Sequence, residues 1–143
     1  MSKTVKLSLK PSFNFILIGI VCSEPIYKLS YLINETISIR LKEHETLKIF
    51  NSKRNMYQAF QCFDFLSDET KEYYELIHNK GVQGVLIEEH KRVDFFLKIE
   101  NCLENPSSII ALINNIKNIS LAFEIKLDSL KSKNNLIFST EKN

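Results

Sequence analysis

Between Thr46 and Ile99 the chain sets out five short segments rich in β-branched and aromatic residues: Thr46 to Phe50, Ala59 to Leu66, Tyr73 to His78, Val85 to Ile87 and Val93 to Ile99. Only polar or glycine-bearing stretches separate them. Connections this short leave little room for the crossover that parallel neighbours need, so the segments predict an antiparallel meander. Upstream, Phe13 to Val21 is a continuous apolar run with the length of a strand covered on both faces. Val5 to Leu9 alternates apolar and polar residues, as a short edge strand does.

Two helices are expected. Ser23 is placed to cap the first, with Glu24 in its positive first turn and Pro25 where backbone donors are orphaned anyway. Ile26, Leu29, Ile33 and Ile37 form its apolar stripe, and its end is expected near Arg40 to Lys42. Asn105-Pro106 starts the second, Asn as cap and Pro at the first helical position. The stripe Ile109, Leu112, Ile113, Ile116, Ile119 or Ser120, and Phe123 predicts that this helix is also long.

The fold class that follows is α+β: a mainly antiparallel sheet of about five to six strands with two long helices packed on one face. With 143 residues, the chain suits one domain, expected over residues 1–138 with a polar tail at 139–143. Phe63, Phe65, Phe95 and Phe96 are expected in the core. Because Phe95 and Phe96 are adjacent on a strand they point to opposite sheet faces, so the second face is also covered. Either the patch Leu136, Ile137 and Phe138 or a second subunit is expected to do this.

A net charge of +2 and a pI near 8.4 are too mild to imply nucleic acid or an acidic membrane by themselves. Cys22, Cys62 and Cys102 are widely spaced and contain no Cys-x-x-Cys pair, which argues against a disulfide framework or a zinc site and for free thiols in a reducing cytosol. Lys3, Lys6 and Lys10 before the apolar run, with Cys22 after it, superficially form a lipoprotein signal. Val21 stands where a small residue belongs, and Pro11 and Asn14 interrupt the start, so a buried strand is the better reading and a cytoplasmic location is expected.

Glu88, Glu89, His90 and Asp94 lie within seven positions, and carboxylates beside an imidazole are the usual set for proton transfer or metal ligation. Placed between two strands, however, Glu88 to Arg92 reads as a charged hairpin turn facing water. Asp94, on a strand face with Phe96, Lys98 and Glu100, is expected to pair with Lys98 or across to the next strand. His44 falls in a charged linker and His78 at a strand end, and no histidine pair has metal-ligand spacing. Neither a metal nor a cofactor is expected. Gly81-Val-Gln-Gly84 has the Gly-x-x-Gly form of a nucleic-acid backbone clamp, but strand-like flanks make it a hairpin turn.

The segment Ile87-Glu-Glu-His-Lys-Arg-Val-Asp-Phe95, continued by Phe96-Leu-Lys-Ile99, resembles the signature of the IPExxxVDY family, small bacterial proteins found chiefly in Bacteroidetes. Lys6 to Leu9, Phe13-Asn-Phe15 with Leu17 to Ile20, Tyr27-Lys-Leu29 with Leu32 to Asn34, Leu76-Ile77 with Asn79, and Leu130 to Lys133 with Asn135 to Phe138 resemble further blocks of it in the same order. Glu88 stands where the family has Pro and Phe95 where it has Tyr, while Glu89, Val93 and Asp94 match. The resemblance implies a cytosolic protein and supplies no catalytic residues.

A non-enzymatic protein-binding or scaffold role is therefore expected. Its partner would be another protein or a second copy, docked on the sheet face carrying Asp94 and Phe96 or on Leu136, Ile137 and Phe138. The alternative is an RNA-binding accessory protein using Lys53, Arg54, Lys80, Lys126, Lys131 and Lys133, which predicts salt-sensitive binding. Below both stands an enzyme built on Glu89, His90 and Asp94.

Overall fold

The structure, a computed structural model, describes residues 14–81 and 84–131. The expected edge strand at Val5 to Leu9, the residue Phe13, the patch Leu136 to Phe138, Lys133 and the tail lie outside the described residues. The chain order is β1 (Phe15–Cys22), α1 (Ile26–Ile37), β2 (Lys42–Asn51), β3 (Met56–Leu66), β4 (Tyr73–His78), β5 (Lys80–Gly81) and β6 (Gly84–Val85). A 3-10 turn (Glu88–His90) then leads to β7 (Phe95–Glu100), α2 (Pro106–Asn114), β8 (Ile119–Glu124) and a second 3-10 turn (Leu127–Ser129).

Six strands form one sheet in the order β2-β3-β4-β7-β1-β8, and β5 and β6 form a small hairpin of their own. Every pairing is antiparallel. The α+β class and the antiparallel sheet are as the sequence predicts. The meander runs through β2, β3, β4 and β7; of its expected members only Val85 to Ile87 leaves the sheet, Val85 pairing with β5 in the separate hairpin. Inside the sheet β1 is buried on both faces, Ile18 and Ile20 in one core cluster and Leu17 in the other, as its continuous apolar run calls for.

The first helix starts later and stops sooner than expected. Pro25 occupies the cap position and no side chain caps the helix, so Ser23 and Glu24 precede it. It ends at Ile37, with Ser38 in the left-handed region at φ 59°. Asn34 explains the stop: its side chain accepts from Leu41 N at 2.8 Å and donates to Leu41 O at 3.3 Å, which turns the chain toward β2.

The second helix begins as predicted, the Asn105 side chain accepting from Ser107 N at 2.9 Å. The expectation of a long helix through Phe123 is wrong. It ends at Asn114, and Ile119–Glu124 is instead the edge strand β8. Asn114 forms both halves of a pair with Ala122, donating to its carbonyl oxygen at 2.9 Å and accepting from its N–H at 2.8 Å. Satisfying that strand's backbone from the helix end fixes the reversal between them.

The core has two parts. One cluster joins Ile18 and Ile20 of β1, Leu76 of β4 and Phe95, Leu97 and Ile99 of β7 with Ile26, Leu29 and Ile33 of α1 and Ile109 and Ile113 of α2. The other gathers Leu17, Phe60, Ile77 and Phe96 with Leu86, Ile87 and Val93 and with Ile125 and Leu130. Phe95 and Phe96 thus separate onto opposite faces as their adjacency requires. Segments flanking the two 3-10 turns help cover the second face, and each large aliphatic side chain buried there contributes about 1.5–3 kcal/mol. Phe63 and Phe65 pack against the first cluster only partly buried.

Candidate functional site

The signature segment folds around one buried amide. Asn79, directly after β4, accepts from the N–H groups of Leu86 and Ile87 at 3.1 and 2.9 Å through its side-chain oxygen. Its side-chain nitrogen donates to the carbonyl oxygens of His90 and Val93 at 2.9 and 2.8 Å. An amide with two donors and an acceptor oxygen is the neutral group that can serve four such partners at once. This pins Leu86, Ile87 and Val93 over the second sheet face.

Asp94 performs a second tie. It precedes β7, and its Oδ2 accepts from Cys22 N at 2.8 Å, where the β1–β8 register shifts. Its Oδ1 meets Lys80 Nζ at 2.9 Å. Lys80, not Lys98, is therefore its partner, and Lys98, four residues further along the chain, reaches Glu75 and Glu100 instead.

The acid-base set of the sequence does not converge. Glu88 and Glu89 are exposed on the 3-10 turn, and Glu89 Oε2 accepts from Lys131 N. The His90 ring lies against Phe123, 6.1 Å between centroids, while both Asp94 oxygens face Cys22 and Lys80. His78 stacks on Phe95 at 4.7 Å, and burial holds its pKa below the ordinary imidazole value against the pull of Asp94. Val93 and Phe96 are buried in the second cluster, so Phe96 offers no docking surface.

Charged groups do gather elsewhere on that second face. Asp64, Glu75 and Lys98 stand directly opposite one another across β3, β4 and β7. Lys98 is 0% exposed and Glu75 3%, with Lys98 Nζ 3.4 Å from Glu75 Oε1, 3.3 Å from Glu100 Oε2 and 4.6 Å from the Phe15 ring centroid. Asp64, beside Glu75, is relieved by the Tyr73 hydroxyl, which donates to Oδ2 at 2.6 Å, and by His44 Nε2 at 3.7 Å. Burial first, then the bond to Asp64, pushes the Tyr73 hydroxyl upward and keeps it a donor. Burial likewise raises the Cys62 thiol, with Glu75 and Asp64 adding to it. A protonated phenol and an unreactive thiol around paired carboxylates make a structural ionic layer. Among the described residues no His, Cys, Asp or Glu group of three or more is arranged to hold a metal.

A third feature lies at the outer end of the β2–β3 hairpin. From Thr46 to Phe63 the chain carries Lys48, Lys53 and Arg54 and no carboxylate. In the strand register Phe50 opposes Tyr57 and Lys48 opposes Ala59, on the face away from buried Leu47, Ile49, Gln58 and Phe60. Phe50 is 48% exposed and Tyr57 67%, their rings in an edge-to-face pair at 5.2 Å. Asn51 Oδ1 accepts from Lys53 N and Arg54 N at 3.0 and 3.1 Å, and Asn55 closes the turn at φ 53°.

The Gly-x-x-Gly stretch supports this ribbon from behind. Gly81 pairs with Gly84 across the β5–β6 hairpin. A Cβ on Gly81 would lie 2.4 Å from the Ala59 carbonyl oxygen and 2.9 Å from the Phe60 ring, so only glycine permits that approach. The hairpin expected from the sequence is what forms. Of the basic residues, Lys53 and Arg54 belong to this turn beside one sheet edge, while Lys126 follows the strand at the other.

The reading of single residues in the sequence missed the ribbon and the Lys98 layer. The run without carboxylates, with aromatic residues at strand positions, was the available signal for the first. For Lys98 the only signal was Glu100 two positions on, since Glu75 and Phe15 come from other strands. No protein-family model, curated protein or solved structure matches the chain. No helix among the described residues is long and apolar enough to cross a membrane.

Proposed function

We propose that this chain is a non-enzymatic binding module of the cytoplasm whose ligand surface is the outer half of the β2–β3 ribbon. One observation carries the reading: the two large rings of Phe50 and Tyr57 stand exposed on the strand face that also carries Lys48, on a stretch free of carboxylates. Large aromatic rings exposed side by side are enriched in contact surfaces relative to the rest of a protein's surface. The commitment of Asp94, Asp64, Glu75 and Glu72 to internal ties argues in the same direction; Glu72 accepts from Tyr74 Oη and Leu103 N, each at 3.0 Å. Membership of the IPExxxVDY family belongs to this proposal. Its support is that Asn79 and Asp94, within the resembling blocks, both have structural reasons to be what they are.

A photoreactive amino acid at position 57, compared with one at Tyr27, tests the surface. Tyr27 is 68% exposed on α1 and so equally available. Adducts in cells are expected from position 57 and not from position 27. Equal yields, or none from position 57, would remove the proposal.

A further inference from the structure

We infer that the outer edge of β2 pairs with β2 of a second copy of this chain, joining the two sheets about a two-fold axis. The sheet has two outer strands, β8 and β2. Asn114 occupies the edge of β8, its side chain taking both the N–H and the carbonyl oxygen of Ala122. Among the described residues β2, ten residues long, has β3 on one side and no strand on the other. An edge of that length presents a row of N–H and C=O groups that a further strand can pair.

Charge complementarity selects the occupant and its register. Glu43 opposes Phe63 and Lys48 opposes Ala59, so both charges share the sheet face of Phe50 and Tyr57. The register shift between His44 and Leu47 makes this possible, because residues five apart on an unshifted strand point to opposite faces. Glu43, Glu45 and Lys48 are exposed, and none has an ion-pair partner among the described residues. When β2 pairs antiparallel with itself, Glu43 against Lys48 of the second copy keeps exposed side chains opposite exposed ones, and the two-fold makes that contact twice. Glu45 then flanks the same lysine. Slipping by one residue would set Glu43 against Leu47 or Ile49, which are buried on the other face. Slipping by two would set it against Thr46 or Phe50 instead of a cation. The backbone bonds supply affinity, and the charges fix the alignment.

The test is sedimentation equilibrium and native mass spectrometry of the full chain up to about 100 μM. Wild type should reach the dimer within that range. Glu43→Lys and Lys48→Glu should each raise the dimer dissociation constant about tenfold or more, since two cross-strand pairs turn repulsive. Mixing the two variants should recover most of the wild-type association as the mixed dimer, in which each of those pairs again joins a carboxylate to an ammonium. Misfolded chains would not recover in this way, so the mixture separates loss of pairing from loss of folding. Leu121→Glu, at an exposed side chain on β8, should leave association unchanged.

A monomer throughout the concentration range, a dimer indifferent to both charge variants, no association on mixing them, or loss of the dimer in Leu121→Glu would overturn the inference. The dimer and the ring surface fail separately. Adducts from position 57 in a monomeric chain remove the dimer and leave the surface standing, whereas a charge-dependent dimer with no such adducts does the reverse.

Discussion

The N–H of Asn79 donates to the carbonyl oxygen of Asp94 at 2.9 Å, joining the end of β4 to the chain that enters β7. Asp94 returns its own N–H to Ile20 O at 3.0 Å and its carboxylate to Cys22 N. Two polar residues therefore hold, by backbone and side chain together, three strands and the loop that covers one face of the sheet.

Asn79→Ala should destabilise the fold by about 3 kcal/mol, because it strands the Ile87 N–H and the Val93 carbonyl oxygen away from water, His90 O keeping the Val93 N–H. Asn79→Asp should be at least as harmful, since a carboxylate cannot donate to His90 O and Val93 O. Urea denaturation reads both. A loss within about 0.5 kcal/mol of wild type would show the amide to be dispensable.

Lys98→Met should remove about 3–5 kcal/mol by leaving Glu75 charged and buried. Adding Glu75→Gln should recover part of that loss, because the uncompensated charge goes with it. Equal stability of the single and double variants would mean that Glu75 does not depend on Lys98. A double-mutant cycle in urea gives the coupling directly.

Gly81→Ala should cost about 1–3 kcal/mol through the clash with the Ala59 carbonyl oxygen. Loss of the β5–β6 support should also loosen the ribbon, seen as faster amide exchange over residues 47–60 than over β7. Wild-type exchange in that ribbon would place its rigidity elsewhere.

His78 supplies a pH dependence. Its folded pKa lies below the ordinary value of 6.5, chiefly because burial disfavours the cation, with Lys80 adding and Asp94 opposing. The unfolded chain then binds more protons below that value, so stability present above pH 6.5 is lost as pH falls through the folded pKa. His78→Phe keeps an aromatic partner for Phe95 and removes the titration. Urea midpoints at about pH 7 and about pH 5.5 should differ less in that variant than in wild type; an unchanged difference would assign the slope to another group.

Local chemistry was enough for part of this fold. Tyr73–His78 reads as a strand and is one, with the same limits. Asn105-Pro106 starts a helix because a cap and a fixed φ act within three residues. The antiparallel class followed from the shortness of the connections, and the two-sided burial of Phe95 and Phe96 from the pleat. The turn at Gly81 and Gly84 was legible for the same kind of reason.

What tertiary structure decided involves partners distant in the chain. Ile119, Ala122 and Phe123 suit a helix by spacing, yet β1 offers them a ladder and Asn114 closes it, so they form a strand. Lys98 is an ordinary strand lysine until Glu75, Glu100 and Phe15 surround it. The candidate site divided in the same way. Asp94 stood out in the sequence, but Lys80 as its partner depended on the β5–β6 hairpin meeting the segment that enters β7. Propensity, caps and turns act over a few neighbouring residues and are written along the chain; register, burial of charge and a shared surface arise only when strands far apart in sequence lie side by side.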